Sequence, residues 1–145
     1  MKAALHRGRA KLRALNAAPA LTELDVDQRK LYEAYAECFN KRDWDALRHL
    51  VRADARLEIV GGAEGRMAGL GATYTGNYTG LPWEWRLAVG FVDGAPVILH
   101  LRRSGSAWHP RTAIKLWWHD GQVVRIRDYI HVDYLLRYAE TEPVV

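Results

Sequence analysis

Apolar positions along the chain recur at helical spacing in the first half and alternate in the second. From Asp25 to Phe39, the residues Val26, Leu31, Tyr35, Cys38 and Phe39 recur with helical period, and Asp25 or Asp27 is suited to cap the helix start. A second short helix is predicted over Asp43 to Leu50, and Ala55 to Val60 alternates weakly as a strand ending at Gly61-Gly62. Gly65 to Tyr78 is polar and interrupted by glycine, so only part of it is predicted as helix; the glycines argue against a long one. Four β-rich runs follow, Trp83 to Val92, Pro96 to Arg103, Arg111 to His119 and Gln122 to Ile130. A short helix over Val132 to Tyr138 and a tail containing Pro143 close the chain. This order is an α+β layout, with helices on one face of a curved antiparallel sheet.

Ahead of that body, Leu5, Leu12 and Leu15 lie at i, i+7 and i+10 and make one narrow apolar stripe on a helix. Asn16 to Ala20 breaks it, because Pro19 fixes its own φ and lacks a backbone donor. The pattern divides the chain into a basic segment (1–15), a linker (16–24), a domain (25–140) and a tail (141–145).

Asp93-Gly94 and Asp120-Gly121 each sit between apolar runs and favour two-residue hairpin turns, which fix register and therefore faces. Across Asp93-Gly94, Val92 pairs with Ala95, so Leu87 faces His100 and Trp85 faces Arg102. One face carries Trp85, Leu87, Val89, Phe91, Ile98, His100 and Arg102; the other carries Arg86, Ala88, Gly90, Val97, Leu99 and Leu101. Both faces are partly apolar, which predicts helices on one and a partner, such as a second copy of the chain, on the other. The same counting across Asp120-Gly121 sets Lys115 opposite Ile126 and Ala113 opposite Asp128, so Asp128 shares a face with Lys115, Trp117, Val124, Ile126 and Ile130.

Charge changes the picture at one end only. Lys2, Arg7, Arg9, Lys11 and Arg13 lie ahead of the first acid, Glu23, while the full chain carries 21 basic and 17 acidic residues. The net charge of +4 thus describes the first segment, and the body is close to neutral. No run approaches the ~20 apolar residues of a membrane span, no signal peptide is legible, and Cys38 is the only cysteine, so a cytoplasmic protein without internal disulfides is expected.

Asp128 among apolar neighbours is either a pocket carboxylate with a raised pKa or a structural partner of Lys115, Arg102 or Arg127. His100 on an apolar strand is either a hydrogen-bonded core residue or a catalyst. Trp85 and Trp117 belong to an aromatic-rich sheet that either lines a cavity or fills an ordinary core, with hydroxyls of Tyr35, Tyr74 and Tyr78 from the helical side. The histidines show no metal-ligand spacing, Gly61-Gly62-Ala63-Glu64-Gly65 lacks the lysine and hydroxyl of a phosphate loop, and Ser104 and Ser106 lie in a loop without a nucleophile elbow; no metal and no cofactor is expected.

Two resemblances join these observations. Lys2-Ala3-Ala4-Leu5-His6-Arg7-Gly8-Arg9-Ala10-Lys11-Leu12-Arg13 resembles the end of the second helix-turn-helix helix in region 4 of extracytoplasmic-function sigma factors, where Leu-x-Arg-Ala-Arg-x-x-Leu-Arg is typical. Cys38-Phe39-Asn40-Lys41-Arg42-Asp43-Trp44-Asp45-Ala46-Leu47, Ala53-Asp54-Ala55-Arg56-Leu57-Glu58, Gly76-Asn77-Tyr78 and Val124-Arg125-Ile126-Arg127-Asp128-Tyr129 resemble the SnoaL-like domain that some of these sigma factors carry behind region 4. The resemblance implies a cone-shaped fold of the nuclear-transport-factor-2-like class. It also implies a regulatory or ligand-sensing role in transcription initiation, with the sigma core and RNA polymerase as partners in a longer protein. His6, Arg7, Arg9, Lys11 and Arg13 would be a DNA-binding remnant, of non-specific and salt-sensitive affinity without the rest of region 4. The alternative is an isomerase, cyclase or hydrolase acting on a small apolar molecule, with Asp128 as base and His100 or a tyrosine as acid or oxyanion donor.

Overall fold

The computed structural model describes residues 25–132 and 141–143. The basic segment, its linker and nearly all of the expected last helix lie outside the described residues. Helix α1 spans Val26–Asn40, and Asp25 caps it by accepting from the Gln28 amide at 2.8 Å. Its buried stripe is Tyr32, Tyr35, Ala36, Cys38 and Phe39. Arg42, at φ 55°, turns the chain into α2 (Trp44–Leu50), whose cap is Asp43 accepting from Ala46 at 3.1 Å.

Strand β1 (Val51–Ile59) begins four residues before its expected start, because the exposed stretch Arg52, Ala53 and Asp54 hides the alternation that Val51, Ala55, Leu57 and Ile59 continue inward. A short β2 (Glu64–Arg66) leads into α3 (Met67–Thr79), which is a full 13 residues despite its glycines. Packing overrides propensity here: Met67, Tyr74 and Tyr78 lie on one buried stripe, and burial of such side chains outweighs the ~1 kcal/mol that each helical glycine costs. Strands β3 (Trp85–Val92), β4 (Ala95–Ser104), β5 (Ala107–His119) and β6 (Gln122–Asp128) form the meander. Strand β7 (Thr141–Pro143), in the stretch expected to be a tail, pairs with the β3 edge, where proline's missing N–H can be tolerated.

The sheet has seven strands in the order β2-β1-β6-β5-β4-β3-β7. It is mixed rather than wholly antiparallel, since β1 runs parallel to β6 with Ile59 beside Asp128. The long connection between them makes a parallel pairing available where a hairpin would not. Asp93 and Gly94 both have positive φ, and the register across them is as the turn predicts, Leu87 opposite His100 and Trp85 opposite Arg102.

Across Asp120-Gly121 the register slips by one. Opposite Trp117 and Trp118, β6 carries one extra residue, Val124, which brings Ile114 opposite Asp128 and Lys115 opposite Arg127. Val89, Ile98, Ile114 and Ile126 meet the helices in the main core, while Val97, Leu99, Leu101 and Ala113 form a second cluster on the other face. That second cluster is already buried in the single chain. No helix among the described residues is long and apolar enough to cross a membrane.

Candidate functional site

Asp128 ends β6 on the inner face of the sheet, between Ile59 of β1 and Ile114 of β5, and is wholly buried. Tyr74 and Tyr78, one turn apart on α3, point their hydroxyls down onto it. Tyr78 donates to Oδ2 at 2.6 Å and Tyr74 donates to the same oxygen at 2.8 Å. The Ile130 amide donates to Oδ1 at 2.9 Å. Tyr35 of α1 lies 2.5 Å from the Tyr74 hydroxyl; with the Tyr74 proton engaged by Asp128, Tyr35 is the donor in that pair.

No cation is among the Asp128 partners within the described residues, and Arg127 turns to Glu58 at 2.7 Å instead. Burial in this apolar setting pushes the carboxyl up to about 6, and the tyrosine and amide hydrogen bonds pull back only in part. The same burial, with the carboxylate close by, raises all three tyrosine hydroxyls well above their usual range, so they are neutral donors.

His100 lies across the same interior. Its Nε2 accepts from the Trp83 indole at 3.2 Å, which leaves the proton of the neutral ring on Nδ1. Burial, and then the nearby Arg111 charge, lower it to about 4. The ring lies near Tyr78 and Trp85, with centroids 5.5 and 6.0 Å apart. Nδ1 has no partner, and neither does the hydroxyl of buried Thr112, the residue paired with His100 across β4 and β5.

Of the residues singled out from sequence, Tyr35, Tyr74, Tyr78, Trp85, His100 and Asp128 thus come together in the interior. Arg102 sits at its rim, exposed, with its guanidinium over the Trp83 ring. Lys115 and Trp117 do not belong: the extra residue in β6, Val124, leaves Asp128 on the face opposite them, and Lys115, Arg125 and Arg127 gather over the Trp117 ring. The alternative of Asp128 as an ion-pair partner of Lys115, Arg102 or Arg127 gives way to a carboxyl held by hydroxyls. The DNA-binding remnant, His6, Arg7, Arg9, Lys11 and Arg13, lies outside the described residues.

Sequence reasoning missed Thr112 and Asn40. Asn40 accepts from the Leu87 amide at 2.8 Å and donates to the Leu87 carbonyl at 2.9 Å, so its side chain acts as a strand partner on the β3 edge and locks α1 over the site. A polar last residue after an apolar helical stripe was the available signal. Away from these residues, an open groove of about 620 Å³ between α2, β1 and α3 carries Arg48 as its sole ionisable side chain among the described residues. Among the described residues no three His, Cys, Asp or Glu side chains gather to hold a metal ion.

This interior, a carboxyl and hydroxyls enclosed by a curved sheet under helices, defines a cone-shaped ketosteroid-isomerase-like fold of the nuclear-transport-factor-2-like class. The chain is similar to wild-type IdmH, a candidate polyketide cyclase from Streptomyces antibioticus (TM-score 0.53, 14% identity, covering 74% of this chain and 95% of that one). It is also similar to an LEH-like epoxide hydrolase of M. tuberculosis (TM-score 0.52, 20% identity, 77% and 90%). A third similar structure is a hypothetical protein with a ketosteroid isomerase-like fold from Catenulispora acidiphila, in complex with trimethylamine (TM-score 0.53, 13% identity, 69% and 84%). No family model and no curated protein matches the sequence.

Proposed function

We propose that the chain transforms a small apolar molecule by acid–base chemistry, as a SnoaL-like isomerase, cyclase or hydrolase, with Asp128 as the proton-transferring group. The observation that carries this reading is a wholly buried carboxyl pushed up to about 6 and held by neutral tyrosine hydroxyls. A carboxyl with its midpoint near the working pH is both a usable base and, once protonated, a usable acid. Similar folds in a candidate cyclase and an epoxide hydrolase favour the same class of chemistry.

In this reading Oδ2 of ionised Asp128 takes a proton from a substrate carbon or from water, and the negative charge that develops on a substrate oxygen is met by a neutral donor. Tyr74, Tyr78 or the His100 Nδ1–H can supply that donor. His100, lowered to about 4, acts near pH 7 as a hydrogen-bond donor and not as a cationic acid. The protonated carboxyl then returns its proton to a different atom. Because Oδ2 is occupied by two tyrosine hydroxyls, substrate entry displaces at least one of them.

The test is a turnover screen of apolar ketones, epoxides and polycyclic enols with wild-type protein and Asp128→Asn. We expect turnover of one class, reduced in the variant by about a hundredfold or more in kcat/KM. Turnover undiminished in Asp128→Asn would remove Asp128 from the chemistry.

A second reading is favoured by the resemblance of residues 2–13 to a sigma region 4 helix: the same interior senses a ligand for an extracytoplasmic-function sigma factor. It is separated by its readout. Asp128→Asn would then alter transcriptional output of the longer protein while no compound is consumed.

A further inference from the structure

At the rim of the interior, two guanidiniums meet at Trp83, whose partner His100 and that residue's neighbour Thr112 each hold a buried polar atom without a hydrogen-bond partner. The Arg111 and Arg102 guanidinium carbons lie 4.3 and 4.9 Å from the Trp83 ring centroid. Neither has a carboxylate partner among the described residues; Arg111 reaches only the Ile130 carbonyl, at a long 3.3 Å. Elsewhere most arginines have one: Arg103 pairs with Glu84, Arg127 with Glu58, Arg52 with Asp54. Two like charges drawn to one ring repel each other, and an anion between them relieves that repulsion.

Behind Trp83, which donates its indole N–H to His100, lie the Nδ1–H of His100 and the hydroxyl of Thr112, both buried and both unpaired. A buried donor without an acceptor is destabilising, and its retention beside two unpaired cations indicates that an acceptor arrives from outside.

We infer that Trp83, Arg102, Arg111, His100 and Thr112 form an oxyanion-binding subsite, and that the molecule processed in the interior is an apolar carboxylic acid bound by its carboxylate at this rim. This rests on the reading of the interior as a small-molecule site, and it adds the substrate class. The guanidiniums take one carboxylate oxygen, the neutral donors of His100 and Thr112 take the other, and Trp83 packs on the apolar part next to them. A carboxylate fits better than a phosphate because the inner donors are neutral and two in number.

The experiment follows the Trp83 indole N–H resonance of the full chain, assigned through Trp83→Phe, during titration with benzoate, with its neutral isostere benzamide and with phenyl phosphate. Benzoate should bind at least tenfold more tightly than benzamide and no less tightly than phenyl phosphate. In Arg102→Gln/Arg111→Gln the benzoate and benzamide affinities should come within twofold of each other, with benzamide unchanged.

Equal binding of benzoate and benzamide to wild type overturns the subsite, as does benzoate affinity unaffected by the double variant, or no binding of benzoate. Tighter binding of phenyl phosphate reassigns the subsite and overturns the carboxylic acid. The titration reads binding at the rim and the turnover screen reads chemistry at Asp128, so the subsite can fail while Asp128 chemistry stands, and the reverse.

Discussion

Asp128 and His100 titrate in overlapping pH windows with opposite consequences for folding. Asp128 goes from 3.8 to about 6 on folding, so the native state binds the extra proton and stability falls as pH rises through that window, by on the order of 3 kcal/mol. His100 goes from 6.5 to about 4, so the unfolded chain binds the extra proton and stability falls as pH drops through its window, by a similar order. In the wild type the two slopes largely cancel between pH 4 and 6. We expect urea denaturation of Asp128→Asn to show stability rising with pH across this range, and of His100→Gln to show it falling; parallel curves for both variants and wild type would contradict burial of both groups without a counter-charge. The Asp93-Gly94 turn made the strand neighbours of His100 legible but not which face meets the helices, and Asp128 stood out as an acid at the end of an apolar strand. Lys115 and Trp117 were misassigned by a single bulged residue, since a one-residue slip inverts every side chain beyond it.

At the scale of elements, the join between α1 and β3 is the part with least redundancy. Strand β7 covers only Gly90 to Val92, so the backbone of Leu87 is left to Asn40. Asn40→Ala removes both bonds and leaves two partly buried backbone groups without partners, so we expect a loss of about 2 kcal/mol by urea denaturation, whereas Asn40→Asp should keep the bond from the Leu87 amide and lose less. Helix α1 was readable from its period, and the meander from its β-rich runs and two Asp-Gly turns. The length of α3 was not, because its stability comes from tyrosines that meet a carboxyl fifty residues away and not from its own glycine-rich composition. The parallel pairing of β1 with β6 was equally hidden, since no turn chemistry links strands so far apart in sequence.

Over the whole molecule, the helices and sheet make one enclosure whose polar groups are concentrated at a single depth. Asp128 comes from the last strand of the meander, Tyr74 and Tyr78 from α3 and Tyr35 from α1, so the site exists only when all layers are assembled. The curved sheet also explains why both of its faces are apolar: one packs under the helices and the other forms its own buried cluster. The functional reading depends above all on the proton held at Asp128. Carboxyl carbon NMR of the full chain, with Asp128→Asn to assign the resonance, measures it directly across pH 3 to 9. We expect a midpoint near 6, with the ring signals of Tyr74 and Tyr78 moving in the same step; a midpoint in the ordinary aspartate range near 3.8 would contradict the proposed acid–base role.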